Sequence, residues 1–407
     1  MINLAFDKLD FSPLCRATHA AVDYPIHLKI FTNHLLYVPR SAGCDGMIGY
    51  GGGTGTGFNL ARKAYGEFLE RNHFFTGVPI TARKPLSEVK TPTLSAKLKT
   101  LCQELQINES LNIDEHAFCF TQVEDLFNGQ ACDYPFNAVS LNGKKEDRHF
   151  IPFNDSCSCA SHRSKDKSLL NSLSEFIERQ ALIGSWMARR YRYRIEPELL
   201  MEVTPYSELV KNLLDNGELY IFENGLQLPG YSVLMFYFSK SERESVQYSV
   251  GASAGLSLQK ALISALEELW QCYTFQYNVE NTHLLEEKAG SDYHLNFQQC
   301  NHLGVKAIIP FMDNLSEQSI DVKTTDDLNQ YPPFLFNEAI AELKIISSEI
   351  YYYHHYDVCT KVHYTKILSP DFFMHMGVDK RLNLNGAYAR CLSICPETAY
   401  REKIPFP

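Results

Sequence analysis

The amino-acid sequence predicts an α+β fold, with helices packed on mixed or antiparallel sheets. Three observations carry this. Blocks with helical periodicity cover 60–75, 168–186 and 258–275. Between and after them lie runs rich in β-branched and aromatic residues: LYIFEN (219–224), YSVLMFYF (231–238), KAIIPF (306–311) and the aromatic run after Glu349. Such runs read as strands, and helices mixed with them must pack on the sheets they form. Finally, no Pro- or Gly-rich linker divides the chain; DNGEL (215–219) and the segment near 285–300 read as loops. Its 407 residues would by length alone suggest two or three units.

The elements are justified by the patterns inside them. EFLER at 67–71 returns as EFIER at 175–179, and EEL followed by WQ covers 267–271. Aligning Glu67, Glu175 and Glu268 also aligns Glu70, Glu178 and Gln271, each three residues later. Tyr65, Leu173 and Leu266 then coincide, as do Phe68, Phe176 and Leu269, and Leu69, Ile177 and Trp270. At about 100° per residue these apolar positions share one helical face, with the acids nearly opposite. Acids opposite an apolar stripe are ordinarily a solvated face. Three copies in one register, two followed by an arginine (Arg71 and Arg179), are harder to explain that way. Like charges at i, i+3 repel mildly, and a shared cation relieves that. Carboxylates without imidazole or thiolate suit a hard ion such as Mg2+, which binds a few protein carboxylates together with phosphates and water.

The glycine run that precedes the first block, GGGTGTG (51–57), fits neither common phosphate loop. From Gly52 the spacing to Gly57 suits a Walker loop, but Phe58 and Asn59 stand where Lys and Ser/Thr are required. No register supplies glycines at i, i+2 and i+5. It reads as a flexible turn that shapes the approach to the acidic helices.

Composition narrows the classes. A net charge of −10 argues against broad nucleic-acid binding, which needs a basic footprint. No stretch reaches the roughly 18 apolar residues of a membrane span, and MINLAFDKLDF lacks the form of a secretory signal. The expectation is a cytoplasmic protein whose 12 cysteines are free thiols. Cys157, Cys159 and His162, with Cys391 and Cys395 far away, do not have zinc spacing. His354 and His355 point to opposite faces of a strand, one buried and one exposed, so they do not chelate.

At these residues the sequence resembles the YcaO family. The likeness is carried by GEFLERNHFF (66–75), SLSEFIERQALIGSW (172–186), KALISALEELWQ (260–271), YTKILSPDFFMHM (364–376) and the end REKIPFP (401–407). The first fifty residues resemble it weakly, so 1–50 is set apart from a catalytic domain over 51–407 with a proline-containing tail at 401–407. The resemblance implies a nucleotide site among three acidic helices and an ATP-dependent peptide cyclodehydratase. In such an enzyme a Cys, Ser or Thr side chain of a ribosomally made precursor attacks the preceding amide carbonyl. The oxyanion takes the γ-phosphoryl group of ATP, and loss of phosphate leaves a thiazoline or oxazoline. By resemblance Glu67, Glu70, Glu175 and Glu178 match Mg2+-binding acids. Arg71 and Arg179 face phosphate, Glu268 and Gln271 form the third wall, and the terminal carboxylate of Pro407 is a catalytic candidate.

The chain departs from the family in two places. Tyr273 stands where many relatives have arginine, and Asp166 and Lys167 lie near a position that is usually acidic. Lys8 and Arg16 have no motif to support a nucleotide contact. The family also implies partners: the precursor peptide, a leader-peptide-recognition subunit similar to ubiquitin-activating enzymes, and a flavin-dependent azoline dehydrogenase, together making an azole-containing antibacterial peptide. Two other readings share the motifs: a family member forming thioamides or amidines, and a non-catalytic scaffold with a decayed site.

Overall fold

Every strand ladder among the described residues is antiparallel. The computed structural model describes residues 26–31, 50–55, 58–277, 292–312, 315 and 319–406. In chain order the elements that matter are β1 (Ile26–Phe31), β2 (Tyr50–Gly55), α1 (Phe58–Thr76), β3 (Ala82–Lys84), α2 (Pro92–Leu105), β4 (Phe118–Asp125), β5 (Ala131–Pro135), β6 (Cys159–His162) and α3 (Lys165–Ala188). There follow β7 (Tyr193–Ile195), α4 (Ser207–Asn216), β8 (Gly217–Glu223), β9 (Tyr231–Ser239), β10 (Tyr248–Gly255), α5 (Leu258–Tyr277), α6 (Phe336–Ile346), β11 (Tyr351–Asp357) and β12 (Val362–Leu368).

These form three sheets. A six-stranded sheet runs β3-β4-β11-β12-β6, with β5 also on β4; a four-stranded sheet runs β10-β9-β8-β7; and β1 pairs with β2. The period-2 alternation of β9 decides how the second sheet is covered. Leu234, Phe236 and Phe238 face the core that includes α3, whereas Val233, Met235 and Tyr237 face the core that includes α4 and α5. The six-stranded sheet divides likewise. Tyr351, Tyr353 and Tyr364 pack with α1 and α2, and Tyr352 and Ile367 with α3. So α3 lies between two sheets, with α1 and α5 beyond them on either side.

That position explains α3. Buried residues surround it, including Ser168, Ser172, Glu178, Gln180 and Ser185. Buried polar groups need partners, and most of these have them in neighbouring strands and loops. Ser172 Oγ donates to Ser158 O (2.6 Å) and accepts from Ile367 N (3.0 Å), and Gln180 bonds both ways to Phe373. Ser164 caps the helix start, accepting from Lys167 N, and Arg189 ends it in the left-handed region at φ 52°.

The three acidic helices and the strands LYIFEN, YSVLMFYF and the aromatic run after Glu349 form as the sequence predicts. Other expectations are corrected. KAIIPF is no strand: residues 303–308 form a 3-10 turn, and Val305, Ile309 and Phe311 plug the central core. Its apolar residues carried a strand-like signal, but Pro310 lacks the N–H a ladder needs. Within the segment near 285–300, Asp292–Gln299 is a helix anchored by Phe297. DNGEL holds no loop, because α4 runs to Asn216 and β8 starts at Gly217. A Cβ at Gly217 would lie 2.2 Å from the Tyr237 ring, so glycine allows that junction.

The described part of the glycine run is strand β2, not a turn, and it pairs with β1 from Ile26↔Gly55 to Phe31↔Tyr50. Its glycines serve close packing. A Cβ at Gly53 would stand 2.7 Å from Lys63 Cβ and 2.8 Å from Ala64 N of α1. His354 and His355 are both half-buried rather than split between core and solvent. The cysteines among the described residues are free thiols, and no described helix is long and apolar enough to cross a membrane.

Candidate active site

The three acidic helices converge. Glu67 and Glu70 come from α1, Glu175 and Glu178 from α3, and Glu268 and Gln271 from α5. Their charges act on one another across the helices: Glu175 on Glu70, Glu67 on Glu175 and Glu268, and Glu268 on Glu178. The acids are not on solvated faces as helical periodicity suggested. Glu70 and Glu178 are buried, and Glu67, Glu175 and Glu268 are half-buried. Burial drives the carboxyls of Glu70, Glu175, Glu178 and Glu268 above the usual range, to about 7 for Glu175, with neighbouring acids adding to the rise and Arg71 and Arg179 opposing it.

Two arginines sit inside the cluster. Arg71 lies 3.3 Å from Glu67 and 3.7 Å from Glu70, and its buried Nη1 has no hydrogen-bond partner. Arg179 lies 3.1 Å from Glu178 and 4.0 Å from Glu175. Burial opposes the charge on each guanidinium, but the carboxylates outweigh it and hold both above the ordinary arginine value.

The wall formed by α5 is anchored differently. Glu268 accepts from Ala252 N of β10 (2.8 Å), and Thr54 of β2 donates to Gln271 Oε1 (2.8 Å). Beside them Lys63 Nζ bonds Glu267 (2.6 Å) and Thr54 O (2.8 Å), and Tyr206 OH donates to Glu267 (2.6 Å). Gly52 N donates to Glu67 (2.7 Å), so the glycine strand touches both the first and third helices.

Sequence reasoning missed several members of this neighbourhood. Glu267 stood beside Glu268 in the EEL motif and was passed over. Asp155 precedes β6, accepting from Cys157 N (2.8 Å) and Met376 N (3.1 Å). Burial would raise its carboxyl, but those hydrogen bonds and the Lys366 charge hold it below its ordinary value. Lys366, buried in β12, was visible as a lysine inside the strand-like run YTKIL.

The chain end approaches the same place. Trp186 Nε1 donates to Glu402 O (2.7 Å), Asn296 to Ile404 O (3.1 Å) and Tyr248 OH to Pro405 O (2.7 Å). Ile404 and Phe406 are buried, and the Arg179 guanidinium lies 5.1 Å from the Phe406 ring centre. Pro407, like Lys8 and Arg16, lies outside the described residues. Tyr273 stacks on Trp270 and packs edge-on against Tyr237, away from the acids. Asp166 and Lys167 are exposed in the first turn of α3.

The donor set fits Mg2+ and a polyphosphate. Six carboxylates, Asp155 included, share the neighbourhood with three cations, Arg71, Arg179 and Lys366. Burial and mutual repulsion penalise the charged form of these carboxyls, and an added cation relieves both. Among the described residues no three His, Cys, Asp or Glu side chains stand close enough to hold an ion by themselves. That suits Mg2+, which takes few protein ligands and completes its shell with phosphate and water. Nucleophiles poised for attack are absent from this set: burial keeps the Cys157 and Cys159 thiols protonated.

Fold and site together define an α+β protein built around a buried cluster of acids and arginines. Residues 52–371 match the family described as YcaO cyclodehydratase, ATP- and Mg2+-binding, and the chain belongs to that family. It is 30% identical over 330 residues, 79% of this chain and 81% of the relative, to the microcin B17-processing protein McbD of Escherichia coli. A chain of the E. coli microcin synthetase McbBCD complex superposes with a TM-score of 0.79 at 25% identity, covering 93% of this chain and all of that one. The fold is also that of YcaO from Methanopyrus kandleri, solved with AMPPCP and Mg2+, at a TM-score of 0.54 and 13% identity over 89% of this chain and 91% of that one.

Proposed function

We propose that this chain is the ATP- and Mg2+-dependent cyclodehydratase of a synthetase that converts Cys, Ser or Thr of a ribosomal precursor peptide to thiazoline or oxazoline. The observation that carries this is the meeting of Glu67, Glu70, Glu175, Glu178 and Glu268 around two arginines, with the chain end beside one of them. The similarity to McbD points to a precursor like that of microcin B17. A second solved complex, McbBCD with pro-MccB17 bound, supports a peptide substrate and further subunits; it superposes on this chain at 26% identity over 88% of this chain and 90% of that one, with a TM-score of 0.75. We assign those subunits to leader recognition and to flavin-dependent oxidation of azolines, and the whole assembly to the cytoplasm.

In this reading Glu67, Glu70, Glu175 and Glu178 would supply the protein's share of the Mg2+ ligands, no more than two of them to any one ion, with phosphate and water completing each shell. Arg71, through its spare Nη1, and Arg179 bind phosphate oxygens, and Glu268 and Gln271 close the third wall. Bound ATP supplies the phosphoryl group that makes the amide oxygen a leaving group, with Mg2+ neutralising its charge. The protein fixes the arginines before reaction, which is where positioning lowers a barrier. Trp186, Tyr248 and Asn296 bond the tail at Glu402, Pro405 and Ile404, and Pro407 remains the proposed catalytic carboxylate.

The test uses the full chain with its partner subunits, precursor peptide, ATP and Mg2+. The expected products are phosphate and a peptide lighter by one water per ring, and Glu175→Gln removes both. A product in which sulfur has replaced oxygen would establish thioamide formation instead. Undiminished ring formation by Glu175→Gln would overturn the site.

A further inference from the structure

Lys366 stands out among the buried charges. Its side chain leaves β12 for the interior, 4% exposed. Among the described residues no carboxylate lies within ion-pair distance of its ammonium. Its bonds go to two carbonyls, Asp155 O at 2.7 Å and Val139 O at 3.4 Å. Yet its charge acts on Glu70, Asp155 and Cys159, all in the acidic neighbourhood. A buried ammonium bonded only to neutral oxygens is a poor way to stabilise a fold.

What it does hold is a path to Arg179. The residue whose carbonyl it grips, Asp155, accepts from Met376 N through its carboxylate at 3.1 Å. Met376 Sδ in turn accepts from Arg179 Nη1 at 3.2 Å. Arg179 turns its Nε to Glu178 and lies over the Phe406 ring. The ammonium thus ties the six-stranded sheet to the loop at 153–157 and to Val139; that loop holds Met376 through Asp155, and Met376 meets the guanidinium. A small cavity of about 20 Å³ lined by Asp155, Cys157, Gln180 and Lys366 adjoins this path.

We propose that Lys366 is a positioning residue for phosphoryl transfer, setting Arg179 through Asp155 and Met376. The inference rests on the ATP-dependent reading of the site. Because Lys366 reaches the arginine through two other residues, its loss acts on the orientation of a group needed in the transition state more than on binding of ground-state ATP.

The experiment compares Lys366→Met, Met376→Leu and the double variant in the reconstituted synthetase. It reads the thermal midpoint, AMPPCP·Mg2+ affinity by calorimetry, and kcat and KM for phosphate release. Met matches the length of the lysine stem, and Leu conserves the volume of Met376. Lys366→Met is expected to keep or raise the thermal midpoint, hold AMPPCP·Mg2+ affinity within about threefold, and lower kcat by roughly tenfold or more. In the Met376→Leu background the same change is expected to cost much less, because both act on one path. A fallen midpoint with activity restored on cooling would make Lys366 structural and overturn the proposal. So would equal, independent losses in the two backgrounds. Failure of the unaltered synthetase to release phosphate would instead count against the ATP-dependent reading itself.

Discussion

Two buried clusters of titratable side chains include residues of α1, and they are built on opposite principles. On one side lie the acids and arginines of the candidate site. On the other, His73 stacks on Tyr364 (ring centres 4.2 Å apart) and His355 (4.7 Å), with Nε2 3.0 Å from Tyr353 OH. The histidine cluster balances itself. Burial, with the charge of His355 adding to it, holds the His73 ring neutral, down to about 3. The acidic cluster is not self-satisfied: Arg71 Nη1 lacks a hydrogen-bond partner and stands 3.7 Å from Glu70. A fold can carry a self-satisfied polar cluster for packing alone. One that leaves a buried polar group unpaired is explained by what it binds.

The sharpest way to break this comparison is to remove one charge from the acidic side. Glu178→Gln is expected to lower phosphate release at least about a hundredfold, in line with the loss of groups that hold a metal. Its thermal midpoint is expected to change little, because burial and the neighbouring acids already favour the neutral form of the Glu178 carboxyl. A large fall in stability together with modest loss of activity would place Glu178 with the structural cluster instead.

The histidine side is expected to respond in the reverse sense. His73 has a folded value of about 3 against an ordinary 6.5, because burial penalises its charge and His355 adds to this, with Asp357 opposing. A depressed value on a base means that the unfolded chain takes up the proton first. The stability contribution is therefore complete above pH 6.5 and declines as pH falls toward 3. At pH 4.5 this one site accounts for about 2–3 kcal/mol. His73→Phe, which keeps a ring between Tyr364 and His355, should flatten the urea midpoint between pH 7.5 and 4.5. Activity at pH 7.5 per folded molecule should change by less than about twofold. An unchanged acid dependence would mean that other groups set it.

The difference between the clusters also shows what sequence alone reveals. The three acidic helices were legible because each carries its message locally, in the i, i+3 spacing and the repeated register of Glu67, Glu175 and Glu268. Their burial was not. Periodicity assigns one apolar face, whereas α3 lies between two sheets and is covered all round, which depends on strands far away in the chain. Lys366 and Asp155 join the site through a strand and a loop, so no spacing links them to the acids. The strand reading of KAIIPF failed for the converse reason: its residues suit a pleated, half-buried surface, but they serve as core plugs. The glycines of β2 read as a flexible turn, but they lie in a strand, and at Gly53 a Cβ would meet the backbone of α1. Pro407, the residue on which the tail argument turns, could be weighed from sequence only by resemblance.

The smallest expected effect concerns the seam between β2 and α5, where neither principle is pure. Lys63 is half-exposed, with 51% of its side chain accessible, and its partner Glu267 keeps a second bond from Tyr206. Exposed ion pairs contribute about 0–1 kcal/mol, so Lys63→Met should barely move the thermal midpoint. The pair nevertheless joins the strand carrying Thr54 to the helix carrying Gln271, and Lys63 also bonds Thr54 O. Loosening it should weaken AMPPCP·Mg2+ affinity by about two- to fivefold. Because the linkage is a partly exposed charge pair, salt screens it. The gap between wild type and variant should therefore narrow as ionic strength rises, and the charge swap Lys63→Glu with Glu267→Lys should recover part of the affinity at low salt. A gap independent of salt, with no recovery in the swap, would assign the effect to packing of the lysine stem against β2 rather than to the ion pair.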